Sequence, residues 1–329
     1  MAKVLGIGNA LVDILIRLEN EDLLKELNLV KGSMQLVDKD FKNLAFSKTQ
    51  HLSKVQASGG SAANTIHGLA SLGVETAYLG KIGHDKLGEF FMNDLKNNHI
   101  KPLLKYSDTE TGVASTFISP DSERTFGTYL GAAVEVGSDD LETSLFAGYK
   151  FFHIEGYLVF NQALVEAALK MAKSKNMTIS LDLASFNVVD ANRDFLVEMT
   201  KKYVDVVFAN EEEAKSFTGK DPEKALKEIS TMCNIAVVKI GKNGSLIKQG
   251  NDTYSVGAIS AKVIDTTGAG DLYAAGFIYG LSKGLSLAQC GHVGALLAGK
   301  VIEVIGAKIP DCDWDIIKKG VKIIESSDN

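Results

Sequence analysis

Short apolar runs alternate with stretches of helical period along most of this chain. Runs at 3–8, 75–79, 151–154, 178–181, 204–208 and 235–240 are dominated by aliphatic and aromatic residues. Between them, 62–72, 85–97, 162–175, 193–202, 211–217 and 222–231 place apolar residues at helical spacing, and Gly73 stands at a helix-stop position. Buried strands alternating with helices predict an α/β fold, a doubly wound and mostly parallel sheet flanked by helices. After Asp271 the pattern is helical to about 305, with Ala274, Ala275, Gly276, Gly280, Gly294 and Ala298 small enough for close helix contact. Two stretches break the alternation: 12–37 holds β-rich pieces around a short helix, and 112–130 holds two β runs around a turn at 120–123. They predict a small β-sheet standing off the core as a lid. The lid would comprise 13–37 and 112–130, and the core 1–12, 38–111 and 131–329. The last residues, 326–329, are expected to fray.

Composition narrows the function. The chain has 329 residues and a net charge of −6, without charge runs. That argues against a nucleic-acid surface, which needs clustered Lys and Arg. Three cysteines, Cys233, Cys290 and Cys312, lie far apart with no CxxC, so neither a disulfide scaffold nor a Cys-based zinc site is expected. The start reads as a first strand rather than a signal peptide, and no apolar run is long enough to span a membrane. The expectation is a cytoplasmic protein, monomer or homodimer, acting on small molecules.

Three motifs carry chemistry. Gly268-Ala269-Gly270-Asp271, preceded by Asp265-Thr266-Thr267, opens a helical stretch. Its glycines permit a tight turn that aims N–H groups at one point, the kind of site that favours an anion. Asp271 would lie in the first helical turn, a base beside that anion. An ordinary helix cap by Thr267 or Asp271 is the alternative. Ser58-Gly59-Gly60-Ser61-Ala62-Ala63-Asn64 lets a ligand approach the backbone, with Ser61 able to cap the next helix and Asn64 able to bond a sugar hydroxyl. Asn210 and Glu213 have capping-box spacing, and the same spacing would put an amide and a carboxylate near a nucleotide's Mg²⁺. Gly241 and Gly244 follow the strand at 235–240, at an edge where open α/β sheets bind ligands.

Other chemistries lose support. Gly6-Ile7-Gly8-Asn9-Ala10-Leu11 lacks the third glycine of a dinucleotide fingerprint, and no GxxxxGK[ST] run or GxSxG elbow occurs. The six histidines show no metal-ligand spacing.

Taken in order, the Gly59–Asn64 segment, the Asn210–Glu213 pair and the Asp265–Asp271 loop resemble the PfkB, or ribokinase-like, family of carbohydrate and nucleoside kinases. The resemblance covers essentially the whole chain. It implies ATP and Mg²⁺, and in many members a monovalent cation such as K⁺. Asp271 would be the catalytic base, and Gly268, Ala269 and Gly270 the anion hole for the transferring phosphoryl. Asn9, Asp13, Gly59, Gly60 and Asn64 would bind the acceptor. Asn210, Glu213, Gly241 and Gly244 would serve the nucleotide, with Glu213 reaching Mg²⁺ through water and Asp265 a ligand of the monovalent cation. The adenine contacts are expected in the helices after 283. The opening 6–14 and the Gly-Gly-Ser at 59–61 resemble adenosine kinases, and the stretch 123–132 is similar to bacterial members assigned as adenosine or sugar kinases. The acceptor implied is therefore a ribonucleoside, adenosine first, phosphorylated on a hydroxymethyl group. A sugar acceptor is the second reading, and a non-catalytic regulator on the same fold the third. Phe117 and Phe126 would either stack on a base or fill the lid core.

Overall fold

The computed structural model describes residues 2–121 and 123–327; Ser122, in the expected turn at 120–123, and the last two residues of the tail lie outside. Fourteen strands are present among the described residues: β1 (Val4–Ile7), β2 (Leu11–Arg17), β3 (Met34–Leu36), β4 (Lys54–Gly59), β5 (Thr76–Gly83), β6 (Ile100–Ser107), β7 (Gly112–Ile118), β8 (Arg124–Tyr129), β9 (Phe151–Glu155), β10 (Thr178–Asp182), β11 (Val206–Asn210), β12 (Ile235–Lys239), β13 (Ser245–Gln249) and β14 (Asp252–Val256). The helices are α1 (Asp22–Glu26), α2 (Lys39–Lys48), α3 (Ser61–Ser71), α4 (Lys86–Asn97), α5 (Gln162–Ser174), α6 (Phe186–Tyr203), α7 (Glu211–Thr218), α8 (Pro222–Ile229), α9 (Ala269–Lys283), α10 (Leu287–Val301) and α11 (Trp314–Ser326).

Nine strands form the main sheet in the order β14-β13-β12-β11-β10-β9-β1-β5-β6. Its pairs are parallel except at one edge, where β12, β13 and β14 run antiparallel. The central strands are largely apolar because both faces are covered. Along β11, Val206 and Phe208 join the core beneath α3, α9 and α10, while Val207 and Ala209 join the core beneath α5, α7 and α8. Phe208 meets Phe277 of α9 edge-on, with centroids 5.5 Å apart, which fixes α9 over this strand. Truncating such a buried Phe to Ala costs about 3–5 kcal/mol. Strand order reverses at β1: the chain runs outward to β5 and β6, then crosses back to β9. Ligands of open α/β sheets bind beyond the carboxyl ends of the strands at such a reversal.

The second sheet has five strands, in the order β3-β8-β7-β2-β4. It draws on three segments rather than two, because β4 (Lys54–Gly59), expected in the core, pairs antiparallel with β2. Its residues Lys54, Val55 and Gln56 sit at the sheet edge with much of their surface exposed, so no apolar run announces it. Phe117 is fully buried in this sheet and Phe126 is half-buried.

Candidate active site

The carboxyl ends of four neighbouring strands each close with a polar or charged residue: Glu155 on β9, Asp182 on β10, Asn210 on β11 and Lys239 on β12. The last three line a cavity of about 1240 Å³. Opposite them stand the loop and first turn of α9, and from the small sheet and its neighbour α3 come Asp13, Phe126, Gly60, Ser61 and Asn64.

Asp271 lies at the centre. Gly268 is the N-cap of α9 at φ 76°, which puts Asp271 in the first turn, and no side chain caps this helix. A Cβ on Gly268 would fall 2.9 Å from the Ala307 Cα, so glycine is required for both conformation and space. Two donors from α3 hold the carboxylate: Ser61 Oγ donates to Oδ1 over 2.7 Å, and Asn64 Nδ2 to Oδ2 over 2.9 Å. Ser61 is therefore not the cap expected for α3. Gly60 occupies that position, without a side-chain bond. The Ala62 N–H is instead taken by Glu155, which also accepts from the Asn9 backbone and side chain. Asn9, expected at the acceptor, thus spends its amide on Glu155 and does not line the cavity. Burial pushes Asp271 up to about 6, more basic than a helix-end carboxylate would be.

Of the N–H groups at the anion loop, that of Ala269 is bonded to the Thr266 carbonyl. Those of Gly270 and Asp271 remain as first-turn donors without an intrahelical partner. Asp13 is pushed up to about 7 by burial, eased by Lys308. Among the described residues no protein group hydrogen-bonds to its carboxylate. A Cβ on Gly59 would collide with that carboxylate, which explains the glycine there. Asn64 Oδ1 is likewise buried without a partner.

Asn210 and Glu213 form a reciprocal capping box on α7, with bonds of 2.7 to 2.9 Å. Both readings of that spacing coexist, since both residues also line the cavity. Glu213 is only 3% exposed, and burial pushes it up to about 7. Mg²⁺ takes oxygen ligands and keeps several waters. Glu213 and Asp182 offer oxygens on the cavity wall, and among the described residues no cluster of three or more ligating side chains makes a cage. This donor set fits a Mg²⁺ held chiefly by phosphate oxygens and water. The monovalent-cation role expected of Asp265 does not fit. Its carboxylate, 2% exposed as a residue, accepts from the Arg124 guanidinium and from the N–H groups of Thr267 and Gly306. A cation there would have to displace a guanidinium.

Gly241 and Gly244 line the cavity as expected, and Gly244 (φ 94°) abuts the Val256 carbonyl. The apolar end is built by Ala258, Ile259 and Val263 and by Ala295, Ala298 and Gly299 of α10. Only the α10 part was expected. Reading the motifs also missed Glu155, Asp182, Tyr157, Lys239 and Arg124. A signal existed for three of them: each of the strand candidates at 151–155, 178–182 and 235–239 ends in a charged residue.

Fold and cavity together define a phosphotransferase of the α/β class, and the chain belongs to the pfkB family of carbohydrate kinases, whose profile matches residues 26–314. It is similar to a probable sugar kinase from Rhizobium etli, 36% identical, with a TM-score of 0.88 and 98% of each chain covered. It is also similar to the adenosine kinase of Sinorhizobium meliloti, 35% identical, TM-score 0.87, covering 98% of this chain and 99% of that one. The adenosine kinase of Saccharomyces cerevisiae is 29% identical over 94% of this chain and 97% of its own. Among the described residues no helix is long and apolar enough to cross a membrane.

Proposed function

We propose that this kinase transfers the γ-phosphoryl of ATP to the hydroxymethyl group of a ribonucleoside, with adenosine the first acceptor. The observation that carries the reading is the pair of unfilled acceptors at one end of the cavity, the Asp13 carboxylate and Asn64 Oδ1. Leaving a carboxylate that has lost much of its hydration without a donor is costly. Two vicinal ribose hydroxyls would each donate to Asp13, and Phe126 and Tyr157, which also line the cavity, would face an attached base.

With the sugar held so, its hydroxymethyl group would reach Asp271, which is mostly ionised at neutral pH. Asp271 takes the hydroxyl proton as the oxygen attacks phosphorus. The N–H groups of Gly270 and Asp271 meet the charge on the phosphoryl oxygens, and positioning does most of the rest. Mg²⁺, when bound, neutralises phosphate charge; Glu213 and Asn210 would order its water shell. The small sheet, which contributes Asp13 and Phe126 and bonds through Arg124 to the anion loop, would act as the lid that keeps water from competing for the phosphoryl.

The relatives named adenosine kinase support this reading. The Rhizobium etli relative, named a probable sugar kinase, supports a simple sugar as the second. ATP-dependent phosphorylation of a panel of nucleosides and sugars decides between them. Adenosine is expected to exceed free ribose by at least about tenfold in kcat/KM. A sugar ranking first would replace the nucleoside reading, and tight binding without turnover on any acceptor would leave the regulator.

A further inference from the structure

We infer that Lys239 is a catalytic residue of the transfer: its ammonium forms the side-chain half of the anion hole, beside the backbone donors of α9, and Asp182 is the residue that positions it. The inference rests on the phosphotransfer reading of the cavity.

The geometry is specific. Lys239 closes β12, its side chain 15% exposed, and Nζ donates to Asp182 Oδ2 over 3.0 Å. A Cβ built on Gly270 would stand 3.0 Å from the same Nζ. The ammonium therefore lies against the Gly270 backbone, beside the first-turn N–H groups of α9. Any side chain at 270 would press on it. Asp182 is itself fixed, because its Oδ1 accepts from the N–H of Ala184, a residue at φ 68°.

Hydrogen-bond accounting points the same way. An ammonium has three protons. One goes to Asp182, and among the described residues the other two have no protein acceptor. They belong to a group on the cavity wall, so what they lack is a ligand. The charge around them requires a cation as well. Asp182, Glu213 and Asp271 all act on Lys239 and keep it protonated despite burial. A phosphoryl group in transfer among three carboxylates needs a cation where its charge accumulates, and the other lysine lining the cavity, Lys242, is exposed. A purely structural role explains less: a buried ion pair is weak support for stability, and this one spans a strand already fixed by β11 pairing on both sides.

In the step itself, the bond from the acceptor oxygen to phosphorus forms as the bond from phosphorus to the β,γ-bridging oxygen breaks. The acceptor proton goes to Asp271, and the electron pair of the broken bond stays on the β-phosphate. Lys239 keeps its proton throughout and donates hydrogen bonds to the phosphoryl and bridging oxygens, where charge accumulates.

Three variants, Lys239→Met, Lys239→Arg and Asp182→Asn/Lys239→Met, are compared with the wild-type chain in turnover and in titration with ADP and Mg²⁺, with and without aluminium fluoride, a mimic of the transferring phosphoryl. Lys239→Met is expected to lower kcat about 10²- to 10³-fold, the loss for one oxyanion donor, with KM for ATP and ADP affinity changed less than about threefold. The extra affinity conferred by aluminium fluoride should vanish in Lys239→Met and partly return in Lys239→Arg. The double variant, which also removes the carboxylate that Lys239 bonds directly, should match Lys239→Met and covers the case that the single variant does not fold. Turnover within about threefold of wild type in a folded Lys239→Met or double variant overturns the inference. So does an equal loss of affinity for ADP with and without the fluoride, which would mean ground-state attraction only. Absence of turnover in the wild-type chain on every acceptor would instead bring down the kinase reading, and the inference with it.

Discussion

Asp271 and Asp13 are both half-buried carboxylates on the wall of one cavity, and they are furnished oppositely. Asp271 receives a hydroxyl and an amide from α3 before any ligand arrives. Asp13 receives no hydrogen bond from the described residues, only the more distant charge of Lys308, and the glycine at 59 leaves room for it. On the proposed function, Asp271 is a base preset in position, and Asp13 is left for the acceptor to complete. A reacting group must be held before the reaction, whereas a recognising group is better left unsatisfied, so that the right ligand gains from pairing it.

The comparison is broken most severely at the base. Asp271→Asn should fold and bind ATP but lose at least about 10²-fold in kcat, the low end for a positioned acid–base group; near-normal turnover would remove Asp271 from the chemistry. In the wild type, kcat should fall on the acid side with a midpoint near 6, since only the ionised base accepts the proton. Next comes Asp13→Ala, which should weaken acceptor binding by about 1.5–3 kcal/mol, the range for a hydrogen bond to a charged group, and leave nucleotide affinity unchanged. Calorimetric titration with adenosine and with an ATP analogue separates the cases: equal losses mean a damaged fold, and no loss removes Asp13 from the acceptor site.

A smaller effect sharpens the contrast. The Ser61 hydroxyl holds Asp271 toward its ionised form, so Ser61→Ala should move the acid limb of the pH–kcat profile upward while the limiting rate changes less than in Asp271→Asn. An unmoved limb would assign Ser61 to packing alone. The smallest effect concerns stability. Asp13 and Glu155 are pushed to about 7 and Asp271 to about 6, each mainly by burial. At these carboxylates the folded state binds more protons than the unfolded one between about pH 4 and 7, so their contribution to stability falls as pH rises through that window, partly offset by the buried His67 and His153, which burial holds below the usual imidazole range. Thermal unfolding of the ligand-free protein at pH 5 and pH 7.5 should show this decline, and Asp13→Asn should make it shallower. An identical slope in the variant would mean that Asp13 titrates alike in both states.

Much of this site was legible because its signals are local. The Gly268–Asp271 loop, the Gly59–Asn64 turn and the Asn210–Glu213 box each act within a few residues, and glycine marks where backbone must approach a ligand. What escaped reading is contact between distant segments. Ser61 reads as a helix cap until α9 supplies a carboxylate for it, and Asp265 reads as a cation ligand until Arg124 of the small sheet reaches it. Asn9 reads as a sugar contact until Glu155, far along the chain, takes its amide. In the fold, β4 was hidden by exposed polar positions at a sheet edge, whereas the core strands announced themselves by burial on both faces. The kink at Asn192 inside α6, where only 193–202 was expected to be helical, likewise depends on packing rather than period.

The meeting of α3 and α9 carries one further consequence. Gly68 lets the helices close to where a Cβ would stand 2.8 Å from that of Ala275, and their N-termini converge on Asp271. Each helix end is equivalent to roughly half a positive charge, so the pair supplies about one unit of positive potential that no proton can add to or remove. The carboxylates around it do titrate, between about pH 4 and 7. The cavity therefore has a constant positive component and a variable negative one. Its welcome to a polyphosphate is set by how many protons the acids hold, a form of control written into the direction of two helices.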